Sequence, residues 1–156
     1  MRMSVEMEKM VIDLQNQPGV EASAETVWVE SLQNGRYRLR NLPALAYDLD
    51  LDDEVEAHKG DDGRLHFDRV VERSGNVAYR IMLLDGVDTS GDMIRERLSQ
   101  VRLLSSAEEK YSDRYYVFNI EPSIDRSVLL NKLNEGEDVG LWAYEPTSDD
   151  PYQTEK

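Results

Sequence analysis

The residues best equipped for chemistry in this chain are carboxylates. Asp48-Leu49-Asp50-Leu51-Asp52-Asp53-Glu54 continues through Glu56 to Asp61 and Asp62. Over that stretch eight acids face one lysine, Lys59, and the balance of −7 is half of the whole chain's −14. Acids at the first, third and fifth places match the opening of an EF-hand calcium loop. The match fails further on. Asp53 stands where that loop needs glycine, Lys59 stands where it needs a bidentate glutamate, and no flanking helices are expected. Alternation of Asp with Leu instead predicts leucines on one face and carboxylates on the other, as a solvated rim or as a docking patch for a basic partner.

Other chemistries lack their parts. Cysteine is absent, which excludes disulfides, thiolate nucleophiles and Cys-based metal sites. His58 and His66 are the only histidines. His66 lies between Leu65 and Phe67 in a strand pattern and is expected to face solvent, while His58 sits among acids. No Gly-x-Ser-x-Gly elbow, dinucleotide fingerprint or phosphate-binding loop occurs. Glu108-Glu109 and Asp149-Asp150 read as surface runs, and Ser74 sits in a turn. Trp28, Trp142, Tyr115, Tyr116 and Phe118 fall in strand patterns, where aromatics usually fill the core. No catalytic residue, metal ligand or cofactor is expected. With 18 basic against 32 acidic residues, the field repels phosphate backbones and anionic lipid, so nucleic-acid and membrane partners are not expected and a basic protein surface is. No run approaches 18 apolar residues, and MRMSVEMEKM has no apolar signal-peptide core, which makes the cytoplasm the default location.

The elements that must position these groups form an α+β pattern. Residues 1–24 read as a variable leader in which Met10–Leu14 has edge-strand character. Thr26–Glu30 and Arg36–Arg40 flank Asn34-Gly35, a strong hairpin signal, with Tyr37 and Leu39 inward and the arginines outward. Pro43 keeps the Asn41–Tyr47 stretch out of a central strand. Short strands follow at Glu54–Ala57, Arg64–Glu72 and Val77–Leu84, giving a five-stranded antiparallel meander able to curl into a small barrel. The period then changes. Ser90 is placed to cap a helix over 91–104 whose stripe is Ile94, Leu98 and Val101. Arg114–Ile120 reads as a strand, Pro122-Ser123 opens a second helix with Val128, Leu129 and Leu133 inward and Gly136 as its stop, and Gly140–Glu145 closes as a strand. One α+β domain over 25–146 is expected, β-rich over 25–89 and built as strand, helix, strand, helix, strand thereafter, with a polar tail at 147–156.

Several of these stretches together resemble a known bacterial family. Val27-Trp28-Val29-Glu30, Gly35-Arg36-Tyr37-Arg38-Leu39-Arg40-Asn41-Leu42-Pro43, Asp53-Glu54-Val55-Glu56-Ala57, Gly63-Arg64-Leu65-His66-Phe67 and Val70-Val71-Glu72-Arg73-Ser74-Gly75-Asn76 are similar to the family of domain of unknown function 4265. Met93–Leu98 and the Gly-x-Trp-x-Tyr-Glu strand at Gly140–Glu145 extend the resemblance to about residue 146. Asp52-Asp53 departs from the family's Gly-Asp, and Ala44 replaces its frequent aromatic. The resemblance implies a barrel-like β half and a ferredoxin-like βαβαβ half.

Small acidic bacterial proteins without catalytic constellations are often immunity proteins. The expectation is therefore a non-enzymatic immunity protein that binds a cognate secreted toxin domain and occludes its basic active-site cleft. Tyr47, Asp48, Asp50, Asp52, Asp53, Glu54, Asp61 and Asp62 are the expected contacts. The alternative is a non-catalytic ligand- or peptide-binding regulatory module, and an enzyme working with carboxylates ranks third.

Overall fold

A computed structural model describes residues 6–152 and divides into two compact units between Asn76 and Val77. The boundary falls earlier than residue 89, because the strand at Val77–Leu83 pairs with elements that follow it rather than with the meander before it.

The first unit is a closed barrel of five strands: β1 (Met7–Asp13), β2 (Ala24–Ser31), β3 (Tyr37–Leu39), β4 (Glu54–Lys59) and β5 (Leu65–Glu72). Neighbours pair antiparallel until the ring closes through a parallel ladder, Met10 beside Leu65 and Val11 beside His66. The expected Asn34-Gly35 hairpin forms, with Val29 opposite Leu39 and Ser31 opposite Tyr37. Inward residues alternate along each stave, and Met10, Ile12, Val27, Val29, Leu39, Val55 and Leu65 make the core. The barrel has the expected number of strands but different membership. Its closing stave is β1, inside the stretch read as a leader, where Met10 is wholly buried. Of that leader, residues 1–5 lie outside the described residues. Trp28 departs from the core expectation: it is 45% exposed, and the Lys9 ammonium lies 5.3 Å from its ring centre.

The second unit is a four-stranded sheet in the order β7-β8-β6-β9, all neighbours antiparallel. Its elements are β6 (Val77–Leu83), α1 (Asp92–Arg102), β7 (Ala107–Ser112), β8 (Tyr115–Ile120), α2 (Arg126–Asp138) and β9 (Trp142–Pro146). Alternate residues Tyr79, Ile81, Leu83, Phe118, Ile120 and Trp142 share one core with Ile94, Leu98 and Val101 of α1 and Leu129 and Leu133 of α2. The strand β7 has no counterpart in the sequence reading. Its Glu108, Glu109 and Lys110 hide the β signature, as suits an edge strand protected by charge.

Cap assignments also shift. Gly91, not Ser90, is the N-cap of α1, and Ser90 instead bonds the Asp88 carboxylate through both its amide and its hydroxyl. Asp125 caps α2 by accepting the Ser127 amide at 2.9 Å. Val128 is 42% exposed. Gly136 does not stop the helix, which continues to Asp138. A Cβ there would lie 2.2 Å from the Trp142 ring, so the glycine serves close approach. The start of the polar tail is tied to the sheet, the Thr147 amide donating to Ala78 O at 2.9 Å and extending the β6–β9 ladder, and residues 153–156 lie outside the described residues. No helix among the described residues is long and apolar enough to cross a membrane.

Candidate functional site

The acidic run lies mainly in the connection between β3 and β4, and that connection is tied down by polar side chains, of which Asp53 is buried and Glu25 and Gln17 partly so. The Glu25 carboxylate accepts three consecutive amides, from Ala44, Leu45 and Ala46. Gln17 clasps the next turn, donating to Leu45 O at 3.1 Å and accepting from the Tyr47 amide at 2.9 Å. Leu49 then enters the barrel core. Successive amides turned onto one carboxylate form an anion-binding concavity, here filled by the protein itself.

Asp53 holds the next segment. Its two carboxylate oxygens accept the Asp50 amide at 2.9 Å and the Ser74 amide at 2.8 Å. Ser74 Oγ and Asn76 Nδ2 both donate to Leu51 O, at 2.7 and 2.9 Å. Burial pushes the Asp53 carboxyl above its ordinary range, and the charge of Asp50 adds to the rise while the amide bonds oppose it. Asp48 and Asp52 adopt left-handed backbone, with φ of 62° and 68°. Such positions cost about 1–3 kcal/mol each and persist only where surroundings enforce them; aspartate tolerates them better than most residues.

These turns undo the expected Asp/Leu alternation. Asp50 and Asp53 are each 1% exposed, so neither presents a carboxylate to a partner, and both leave the expected contact set. Tyr47 and Asp48 are exposed, and Asp52 and Glu54 are partly so. Asp61 and Asp62 are exposed but stand in the β4–β5 turn, at the far end of β4. Six residues of strand put them roughly 17 Å or more from Glu54. One run in sequence is thus two places in the fold.

Cations that the sequence reading left out of the patch neutralise part of it. Arg40 pairs with Asp52 and lies 3.8 Å from Glu30, Arg38 is 3.7 Å from Glu54, and Arg73 is 3.7 Å from Asp53 and donates to Asp48 O at 3.1 Å. Glu30 and the five loop acids carry −6, which the three guanidiniums reduce to −3. The outward alternation of Arg36, Arg38 and Arg40 was the signal for two of them. Among the described residues, no group of three or more His, Cys, Asp or Glu is arranged to hold a metal ion.

The second unit contains one other concentration of charge, and it is internal. Arg126 Nε and the Tyr79 hydroxyl both donate to Asp150 Oδ2 at 2.6 Å, with the Arg126 and Asp150 side chains 1% and 0% exposed. Arg126 Nη1 donates to Glu121 O and Ile124 O, and the Tyr152 ring lies 5.3 Å from the guanidinium carbon. The triad pins the C-terminal segment to the start of α2.

The comparisons with known proteins agree with this architecture. A solved structure, described as a novel crystal structure of a hypothetical protein from Neisseria gonorrhoeae, is similar with a TM-score of 0.77 and 22% sequence identity. The similarity covers 92% of this chain and 95% of that one, and it concerns the fold. No curated protein matches the chain in sequence. The model of the family described as Domain of unknown function (DUF4265) matches residues 25–144, and the chain belongs to that family.

Proposed function

We propose that the chain is a cytoplasmic immunity protein that binds a cognate secreted toxin domain and covers its basic active-site cleft. One observation carries the reading: the loop from Ala44 to Asp53 is held by Glu25, Gln17, Asp53 and Ser74, while Tyr47, 36% exposed, and Asp48 reach the surface. A loop ordered before docking loses little freedom on binding. An aromatic anchor beside carboxylates suits a cationic cleft, and a net charge of −14 favours encounter with one. The contact set on this reading is Tyr47, Asp48, Asp52 and Glu54. In the same reading the second unit is ferredoxin-like, which its β-α-β-β-α-β element order and its strand order support.

The test is capture of partners by a tagged chain in its native host, followed by mass spectrometry. The expected result is the C-terminal domain of a neighbouring secreted protein, in a complex that salt weakens. With that partner in hand, Asp48→Lys combined with Asp52→Lys is expected to slow association on the order of tenfold and to flatten its salt dependence. Unchanged association kinetics would remove this loop from the interface. A second reading, a ligand- or peptide-binding regulatory module, draws on β9, which stands last in the strand order of the sheet among the described residues, the kind of position at which a peptide strand is added. Recovery of a short linear segment in place of a folded toxin domain would select it.

A further inference from the structure

The chain has two histidines in 156 residues, and the barrel sets them directly opposite each other, His58 on β4 against His66 on β5. Their rings stack with centroids 5.8 Å apart and planes 25° from parallel. Each ring also has its own carboxylate. His58 Nδ1 lies 2.7 Å from Asp68 Oδ1, and His66 Nε2 lies 3.0 Å from Asp62 Oδ1. The result is a row on the hairpin surface in the order Asp62, His66, His58, Asp68. Backbone geometry makes room for it, since a Cβ at Gly60 would fall 2.8 Å from His66 Cδ2.

A carboxylate facing one imidazole nitrogen holds the proton there and leaves the other nitrogen with its lone pair. In His58 that nitrogen is Nε2, and in His66 it is Nδ1. Carboxylate-bound imidazole is the form in which histidine ligates transition metals, the acid fixing tautomer and raising basicity. Directly opposite residues on paired strands have Cβ atoms about 4.5–5.5 Å apart, and turning the two rings about their Cβ–Cγ bonds, out of the near-parallel stack, brings both free nitrogens onto one ion at about 2.0–2.1 Å.

We infer that His58 and His66 form a two-histidine chelate for a borderline divalent cation of the copper, nickel or zinc class, with Asp68 and Asp62 orienting the rings and water completing the coordination. The nearby charges are mixed: Asp61 and Arg64 flank the turn, Glu56 pairs with Arg69 at 2.6 Å, and Glu8 with Lys59 at 2.9 Å. Selectivity therefore follows the intrinsic order for nitrogen ligands, copper above nickel and zinc. The site lies at the opposite end of β4 from the Tyr47–Asp53 loop and is independent of the proposed toxin interface.

The test titrates the untagged full-length chain with copper(II), nickel(II) and zinc(II) chlorides, followed by calorimetry and by the imidazole resonances in NMR. One ion per chain is expected, with both histidines responding together. His58→Gln and His66→Gln are each expected to abolish saturable binding. Asp62→Asn is expected to weaken it about 10–100-fold without removing it. Circular dichroism checks that the variants remain folded, and the more exposed His58 gives the safer substitution. Absence of saturable binding overturns the inference. So does independent binding, in which either single-histidine variant keeps the wild-type affinity.

Discussion

A carboxylate that accepts two backbone amides cannot be exchanged for its own amide without turning one acceptor into a donor. Asp53 is such a group, and Asp53→Asn would point an NH₂ at either the Asp50 or the Ser74 amide. A loss of about 1–3 kcal/mol is expected in denaturant unfolding. Asp53 also explains why site residues were only partly legible. In the sequence it is one of eight similar acids, and nothing local distinguishes the buried clamp from the exposed Asp48; the difference comes from Ser74, 21 residues away. Tyr79 makes the parallel case in the second unit. Burial first, then the bond to Asp150 and the charge of that carboxylate, hold its phenol well above the usual tyrosine range. A group raised in the folded state contributes stability that is complete below the unfolded value near 10 and is lost as pH rises beyond it. Tyr79→Phe is expected to cost about 1.5–3 kcal/mol at pH 7, as a bond to a charged acceptor does. The gap between variant and wild type should then narrow above pH 10, which urea unfolding at pH 7, 9 and 11 would measure.

Elements carry their own lesson in Gly136. In sequence it reads as a helix stop, yet α2 continues through it and uses the missing Cβ to seat Trp142, whose indole Nε1 donates to Leu133 O at 2.9 Å. Alanine is the better helix former, so an exposed glycine at this place would gain stability from Gly→Ala. Here Gly136→Ala is expected to lower stability by about 1–3 kcal/mol through overpacking against a ring that cannot retreat. Thermal melting decides the sign. Elements with a clean period were legible: the β2–β3 hairpin, β4 to β6, and the buried stripe of α1 all lie where alternation or the i, i+4, i+7 spacing put them. Strand β7 was not, and β1 was legible only as edge-strand character at Met10–Leu14. Both β1 and β7 mix charges into short runs, Glu8-Lys9 and Glu108-Glu109-Lys110, and their pairing is settled by partners distant in sequence rather than by their own composition. Missing β7 left βαβαβ where the chain has βαββαβ.

At the scale of the molecule, the charge divides evenly, with nine basic and sixteen acidic residues on each side of the Asn76–Val77 boundary. Surface ion pairs are numerous, but each contributes roughly 0–1 kcal/mol and is screened by salt. The Arg126–Asp150 pair is buried and is not. Self-repulsion at −14 is the larger salt-sensitive quantity. The melting temperature is therefore expected to rise between about 0.01 M and 0.15 M NaCl, as the Debye length shortens from about 30 to 8 Å. A fall would show that surface ion pairs dominate. The parallel ladder that seats Met10 beside Leu65 also imposes a timetable on synthesis. While the ribosome is still making residues 14 to 64, β1 can pair with β2 but its other edge has no partner. An unpaired edge invites pairing with other nascent chains. Glu8 and Lys9 make β1 a poor template for such contacts, so the composition that disguises it as a leader suits a stave that must wait for the last strand of its barrel to emerge.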